Sequence, residues 1–163
     1  MFREMRRRKQ ALSLESCVEV LRKGTSGVLA VSGDDGYPYA VPLSYVYDDG
    51  RLFFHCAPSG HKLDAIAGNE KASFCVIDQD HVVPEEYTTY YRSVIAFGRA
   101  RVLEDEGEKR AALEKLAERY SPRQEEGRRA EIDKLFQRVC MVELAVEHMS
   151  GKEAIELVTE KER

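Results

Sequence analysis

The feature that most constrains the fold is a pair of β-like runs joined by an Asp-Asp-Gly turn at residues 48–50. The runs cover residues 37–47 and 51–56. Because Asp-Gly between alternating runs is a strong hairpin signal, the segment predicts two antiparallel strands. The second run leads through a Pro-Ser-Gly loop to His61 and Lys62, where a short helix is predicted. Free backbone N–H groups beside a cation suit an anion, so this junction predicts a phosphate cradle, with a solvated lysine as the equal alternative.

The rest of the chain adds further strands and several helices. A first helix is predicted from Ser13 to Gly24, and the clearest helix covers residues 105–120. Gly98 lies inside a long strand-like run and predicts a bulge or bend. The predicted strands are residues 27–32, 37–47, 51–56, 71–77, 87–103 and 140–148. The first three are expected to form an antiparallel meander, because their turns are too short for a parallel crossover.

This pattern predicts a mainly β fold with inserted helices, of the α+β class. Six antiparallel strands are expected to curl into a small barrel, because closure removes exposed strand edges. A flat antiparallel α+β sandwich is the competing architecture, and periodicity does not separate the two.

Composition indicates one globular domain over residues 1–163, with a basic N-terminal arm at 1–12 and a charged tail at 152–163. Hydrophobic residues make up 43% and charged residues 33%, and the net charge of −4 argues against a nucleic-acid partner. No apolar run approaches the roughly 20 residues that a membrane helix needs. The four cysteines lack a CxxC spacing and no signal peptide is visible, so we expect reduced thiols in a cytoplasmic protein.

The motifs argue against a metal site and a cysteine nucleophile. His55 and Cys56 are neighbours on a predicted strand, so their side chains point to opposite faces and do not readily share an ion or a proton. No bound metal is therefore expected. Tyrosines are frequent in the strands around the predicted cradle and suit a flat ligand with polar edges, although strand propensity explains many of them.

Several segments, taken together, resemble a known family. They are MFREMRR, DDGYPYAVPLSYVYDDGRLFFHCAPSGHKLDAI, KASFCVI and VVPEEYTTYYRSVIAFGRARVLED. They resemble the 5-nitroimidazole-resistance (Nim) family of pyridoxamine 5'-phosphate oxidase-like flavoproteins, from about residue 1 to about residue 152. The resemblance implies an FMN-binding split β-barrel, usually a homodimer with flavin sites at the subunit interface.

The implied activity is that of an FMN-dependent oxidoreductase. Reduced flavin would pass electrons to a small planar, nitroaromatic-like acceptor, with His55 or His61 as the proton source. Two alternatives stay open: a flavin- or haem-binding module without turnover of its own, and pyridoxamine 5'-phosphate oxidase activity.

The resemblance also implies a set of cofactor-binding residues. Those beside the flavin ring are Val41, Pro42, Leu43 and Ser44, and the wall continues with His55, Cys56 and Ala57. Those holding the phosphate are His61 and Lys62. Those closing the site, from the same or the other subunit, are Thr88, Thr89, Tyr90, Arg92 and Ser93.

Overall fold

The computed structural model describes residues 2–161, which form a seven-stranded antiparallel sheet and five α-helices. Met1, Glu162 and Arg163, the outermost residues of the predicted arm and tail, lie outside the described residues. The strands are β1 (Ser26–Ser32), β2 (Pro38–Ser44), β3 (Val46–Asp48), β4 (Arg51–Cys56), β5 (Lys71–Val83), β6 (Thr88–Val102) and β7 (Cys140–Glu153). The helices are α1 (Leu14–Lys23), α2 (His61–Gly68), α3 (Glu106–Tyr120), α4 (Glu125–Leu135) and α5 (Ile155–Lys161).

The strand order in the sheet is β2-β1-β5-β6-β7-β4-β3. The predicted α+β class and antiparallel pairing are confirmed. The predicted six-stranded closed barrel is wrong, because the described residues form seven strands and no strand pairing joins the edge strands β2 and β3. Within residues 2–161, no helix combines the length and apolar character needed to cross a membrane.

The seventh strand arises because the predicted run 37–47 divides at Tyr45. The part before Tyr45 pairs with β1, and the part after it pairs with β4 at the opposite edge of the sheet. Tyr45 is fully buried; its hydroxyl donates to the Leu21 carbonyl oxygen at 2.8 Å, and its N–H donates to the Tyr120 hydroxyl at 3.1 Å. The predicted meander is therefore wrong at this one residue, where the chain crosses between the two edges.

The structure confirms the predicted hairpin turn at residues 48–50 and the predicted bulge at Gly98. Asp49 and Gly50 have φ angles of 43° and 77°, which suit a tight hairpin turn between β3 and β4. The register of β6 against β7 shifts between Phe97 and Gly98, and a Cβ at Gly98 would overlap the backbone oxygen of Ala145. The segment between the predicted strands 71–77 and 87–103 is mostly strand rather than a loop, since β5 continues to Val83 in pairing with β6.

Two apolar cores hold the sheet. The inner face packs Leu29, Phe54, Phe74 and Val142 against each other and against one side of α1. A second core lies on the outer face, where α3 and α4 cover β4 and β7. The outer face of β1, β5 and β6 carries exposed apolar side chains instead.

Candidate cofactor and acceptor site

An apolar cavity of about 470 Å³ lies between the outer face of the sheet and helices α3 and α4. Ser44, at the end of β2, and His55, near the end of β4, both line it. The rest of the lining is mainly the apolar side of the helices, including Leu116 and Ile132, with Arg128 among the polar residues. The structure thus brings two of the predicted site residues to the wall of one ring-sized cavity.

His55 and Cys56 point to opposite faces of β4, as predicted. The exposed His55 lines the outer cavity, whereas Cys56 packs against the inner core. Ala57 is exposed and begins the loop that leads to α2. Cys56 therefore contributes to any outer site through its backbone rather than through its thiol.

The predicted ring-side residues of β2 alternate in the same way. Val41 and Leu43 pack against the inner core, whereas Pro42 and Ser44 are exposed on the outer face. A ligand on the outer face would therefore meet the backbone of all four residues but the side chains of only Pro42 and Ser44.

The start of α2 has the features of an anion cradle. Gly60 precedes the helix with φ of 137°, a conformation that favours glycine, and a Cβ there would meet no atom within 4 Å. No side chain caps the helix, whose first intrahelical bond is donated by the Leu63 N–H to the Gly60 carbonyl oxygen at 2.9 Å. The N–H groups of His61 and Lys62 precede that bond, as the first donors of a helix do.

Lys62 supplies a cation at this helix start. Its side chain is half-buried, and no acidic side chain of residues 2–161 forms an ion pair with it. It lies close enough to Cys56 for its charge to lower the pKa of that thiol, although burial and Cys140 outweigh this effect. A half-buried cation without an acidic partner favours a bound anion, because unpaired charges are costly away from water.

His61 is held by the β1–β2 turn rather than directed into the cavity. Its imidazole stacks on the Tyr39 ring with centroids 4.1 Å apart, and its Nε2 atom lies 3.7 Å from a carboxylate oxygen of Asp34. His61 is absent from the cavity lining. Of the two predicted proton donors, His55 is the one whose side chain reaches the cavity.

The segment 88–93 lies elsewhere on the same chain. Helix α2 packs beside the far end of β6, where Leu63 and Ala100 line a common groove. Ser93 and Ala100 are seven residues apart on β6, a separation of about 23 Å in an extended strand, and Thr88 lies further still. One chain therefore does not bring 88–93 to the α2 cradle.

The side chains of this segment also have partners of their own. Arg92 bonds Asp78 at 3.2 Å and Glu153 at 3.0 Å, so its guanidinium already pairs with two carboxylates. The Tyr90 hydroxyl donates to Glu86 at 2.8 Å, and this bond raises the pKa of Tyr90 to about 12. The Thr88 hydroxyl donates to Glu156 at 3.2 Å, while Thr89 and Ser93 remain half-buried on the strand.

The sequence does not predict that α3 and α4 form one wall of the cavity. The apolar side of α3 reads as ordinary core, and a surface that packs on a sheet has the same periodicity as one that lines a cavity. Tyr120 ends α3, lines the cavity and bonds to the Tyr45 backbone across the chain crossing. A tyrosine at the end of an amphipathic helix is the only sequence signal for this contact.

Fold and site together define a class: an antiparallel α+β sheet with an anion cradle and an apolar cavity at one end of β4. The chain belongs to the pyridoxamine 5'-phosphate oxidase family, whose family model matches residues 13–153. No curated protein sequence matches the chain.

Solved structures share the fold. A FAD-binding protein from Mesorhizobium loti is 27% identical, with 89% of this chain and 97% of that chain covered and a TM-score of 0.66. A FAD- and haem-binding protein from Mycobacterium smegmatis is 26% identical, with 90% and 73% covered and a TM-score of 0.74. A candidate 5-nitroimidazole antibiotic resistance protein from Bacteroides thetaiotaomicron is 21% identical, with 88% and 86% covered and a TM-score of 0.74.

Proposed function

We propose that the protein is an FMN-dependent oxidoreductase that passes electrons from reduced flavin to a small planar acceptor of the nitroaromatic kind. The observation that carries the proposal is the pairing of the cavity at Ser44 and His55 with Lys62 at the start of α2, which has no acidic partner among residues 2–161. Six residues separate His55 from His61, a chain span of at most about 20 Å. A ligand with a planar ring and a phosphate tail can therefore reach both places.

The phosphate is proposed to bind the first N–H groups of α2 and the ammonium of Lys62. The positive end of the helix dipole and the lysine charge act on it together. His61 supports the cradle through its backbone, while Tyr39 and Asp34 fix its ring. Gly60 lets the chain approach the phosphate closely, because no side chain stands in front of the helix.

The planar ring is proposed to lie along Pro42 and Ser44 at the mouth of the cavity, with the acceptor inside it. Bound flavin supplies the electron transfer itself, and the protein supplies position and electrostatics. The apolar helix walls exclude water and hold a flat acceptor, and the His55 imidazole at the wall donates a proton to it. His55 is therefore the proposed proton donor, and His61 is a positioning residue for the cradle.

A homodimer is proposed as the working form. Two adjacent rows of outward-facing residues cross the open sheet, and both consist of apolar or small side chains except for one imidazole in the second row. One row is Pro42, Val28, Cys75, Ile95 and Ser150. The other row is Ala40, Ala30, Ser73, Phe97 and His148.

A second copy is the occupant that this surface favours. Val28 is 38% exposed and Ile95 is 39% exposed, although both lie in the middle of the sheet. The Phe2 ring of the same chain packs on the second row, 5.4 Å from the Phe97 ring and 4.6 Å from the His148 ring, so the exposed apolar surface that marks an interaction site is chiefly the first row. The family resemblance implies that the 88–93 segment can close the site from the other subunit, and one chain alone does not bring that segment to α2.

The absorbance spectrum of the purified protein tests the proposal. We expect flavin bands, either as isolated or after addition of FMN, and release of FMN rather than FAD on denaturation. Release of FAD would support the flavin chemistry but refute FMN as the cofactor. This outcome is worth testing because two of the similar structures are FAD-binding proteins. A protein that takes up neither flavin refutes the proposal.

A second measurement tests the reaction. Flavin bound to the protein is reduced anaerobically with dithionite and then mixed with a nitroimidazole. We expect rapid return of the oxidised flavin spectrum and loss of the nitro absorbance. A Soret band on haem titration without flavin uptake would favour the haem-binding alternative, and oxygen uptake with pyridoxamine 5'-phosphate would favour oxidase activity.

A further inference from the structure

Cys56 and Cys140 face each other directly across two strands. Cys56 is the last residue of β4, Cys140 is the first of β7, and the two are register partners. Both side chains belong to the inner core, so they project from the same face of the sheet. Opposed Cα atoms of antiparallel strands lie about 4.5 or 5.5 Å apart, and disulfides need about 4.4–6.8 Å. The Cα separation expected for register partners therefore falls within the range that disulfides span.

The two thiols are neighbours across the strand pair but differ in access to solvent. The Cys140 thiol lies close enough to raise the pKa of the Cys56 thiol, and it donates a weak hydrogen bond to the Met141 carbonyl oxygen at 4.0 Å. Cys140 is only 9% exposed, whereas Cys56 is half-buried and lies at the end of the strand, next to the loop that leads to Lys62. A small reagent that approaches from solvent therefore meets Cys56 first.

The other two cysteines do not share this arrangement. Cys75 faces outward on β5 between Val28 and Ile95, and Cys17 is buried on α1. Neither has a cysteine as a register partner on a neighbouring strand. They serve as internal controls for any cysteine-specific reagent.

We propose that Cys56 and Cys140 form a reversible dithiol–disulfide site that is oxidised by small hydroperoxides such as hydrogen peroxide. The Cys56 thiolate attacks a peroxide oxygen, the O–O bond breaks, hydroxide leaves and Cys56 becomes a sulfenic acid. The Cys140 sulfur then attacks the Cys56 sulfur, and water leaves as the S–S bond forms. Two thiols are oxidised to one disulfide while one hydrogen peroxide is reduced to two waters; a dithiol reductant reverses the change by exchange.

The physical setting predicts the rate and the consequence of this oxidation. Burial, and then the neighbouring Cys140, raise the pKa of Cys56 to about 11 against the opposing charge of Lys62. Because the thiolate is the reactive form, the reaction should be slow near neutral pH and speed up about tenfold per pH unit below that pKa. The bond would cross-link the start of β7 to the end of β4, immediately before the loop that carries the α2 cradle.

The test uses the full-length protein, first reduced and then freed of reductant. Hydrogen peroxide at pH 8–9 should lower the intact mass by about 2 Da, and peptide mapping should show Cys56 linked to Cys140. Free thiols counted after denaturation should fall from four to two. The midpoint of thermal unfolding should rise by about 5–15 °C, because the cross-link constrains the unfolded chain, and dithiothreitol should reverse every change.

Serine variants separate the roles of the two sulfurs. In Cys140→Ser, the same peroxide dose should leave a sulfenic acid at Cys56 that dimedone captures. In Cys56→Ser, Cys140 should remain a thiol, and Cys75→Ser should form the disulfide at the wild-type rate. The proposal is overturned if wild-type protein keeps both thiols while Cys75 oxidises, or if the mapped linkage joins any other pair.

Discussion

Replacing Lys62 with methionine should weaken FMN binding and leave riboflavin binding nearly unchanged. Methionine keeps an apolar stem that can pack beside Cys56, so the change removes the charge rather than the packing. Hydrogen bonds to charged groups contribute about 1.5–3 kcal/mol, and each 1.4 kcal/mol is tenfold in a binding constant. The dissociation constant for FMN should therefore rise about tenfold to a hundredfold.

Quenching of flavin fluorescence on titration with apoprotein measures both affinities. Riboflavin lacks the phosphate, so it reports every contribution of residue 62 that does not pass through the phosphate. Lys134→Met is the matched control, because Lys134 is exposed on α4 and pairs with Glu131 at 3.8 Å, outside the cradle. Raising the salt concentration should weaken FMN binding more in the wild type than in Lys62→Met, since screening acts on the charge pair.

Two results would contradict this reasoning. Equal weakening of FMN and riboflavin binding in Lys62→Met would mean that Lys62 acts by supporting the fold. Unchanged FMN affinity would mean that the phosphate binds elsewhere, and the next candidates would then be the hydroxyl groups of the 88–93 segment.

Three further substitutions test the site, the interface and the fold. His55→Gln should slow nitro-acceptor reduction about 10²–10⁴-fold while the flavin stays bound, measured by stopped-flow reoxidation; loss of flavin instead would refute a proton-donor role. Ile95→Arg should convert dimer to monomer in light scattering and lower flavin occupancy, whereas Tyr87→Arg, at a position 98% exposed, should change neither. Gly98→Ala should lower stability by at least about 2 kcal/mol, or the melting temperature by about 4–8 °C. Gly127→Ala, on α4 with open space for a Cβ, should raise stability by up to about 1 kcal/mol, and an equal loss in both variants would contradict the bulge argument.

Local sequence signals, such as helix-capping residues and glycines, predicted much of the fold because the structure uses them where the sequence places them. Ser13 caps α1 by accepting from the Ser16 N–H at 3.1 Å, and Asp105 caps α3 by accepting from the Glu108 N–H at 2.9 Å. Gly98 lies at the bulge where a side chain has no room. The two caps depend on neighbours close in sequence, and the glycine itself marks the bulge, although the backbone that leaves no room there is that of Ala145.

Long-range pairing was predicted less well, because polar partners far along the chain do not show in periodicity. The strand β5 runs past Ile77 through a segment that reads as a polar loop. Asp78 stays there because Arg92 pairs with it at 3.2 Å, and Arg92 also pairs with the buried Glu153 at 3.0 Å. Arg92 is 14 positions from Asp78 and 61 positions from Glu153. These ion pairs stabilise the extended strand, and no short stretch of sequence contains all three residues.

The same difference between local and long-range signals applies to the candidate site. His55 and Cys56 could be assigned to opposite faces from alternation alone, and the structure agrees. The wall supplied by α3 and α4 could not be assigned, because it depends on where helices more than fifty residues away pack. Likewise, the stacking of His61 on Tyr39 turns one candidate proton donor away from the cavity, and only the packed structure reveals this.

The crossing at Tyr45 explains how one hairpin-like segment contributes to both the proposed ring site and the proposed phosphate site. If residues 37–47 formed one strand of a simple meander, β2 would pair along its whole length with β4. Because the buried Tyr45 hydroxyl is tied to Leu21 and its N–H to Tyr120, the chain leaves one edge and joins the other. Ser44 and His55 then approach the same cavity from separate strands. The cavity itself lies between these two strand ends and the apolar side of α3 and α4, so the packing of the helices completes the candidate site.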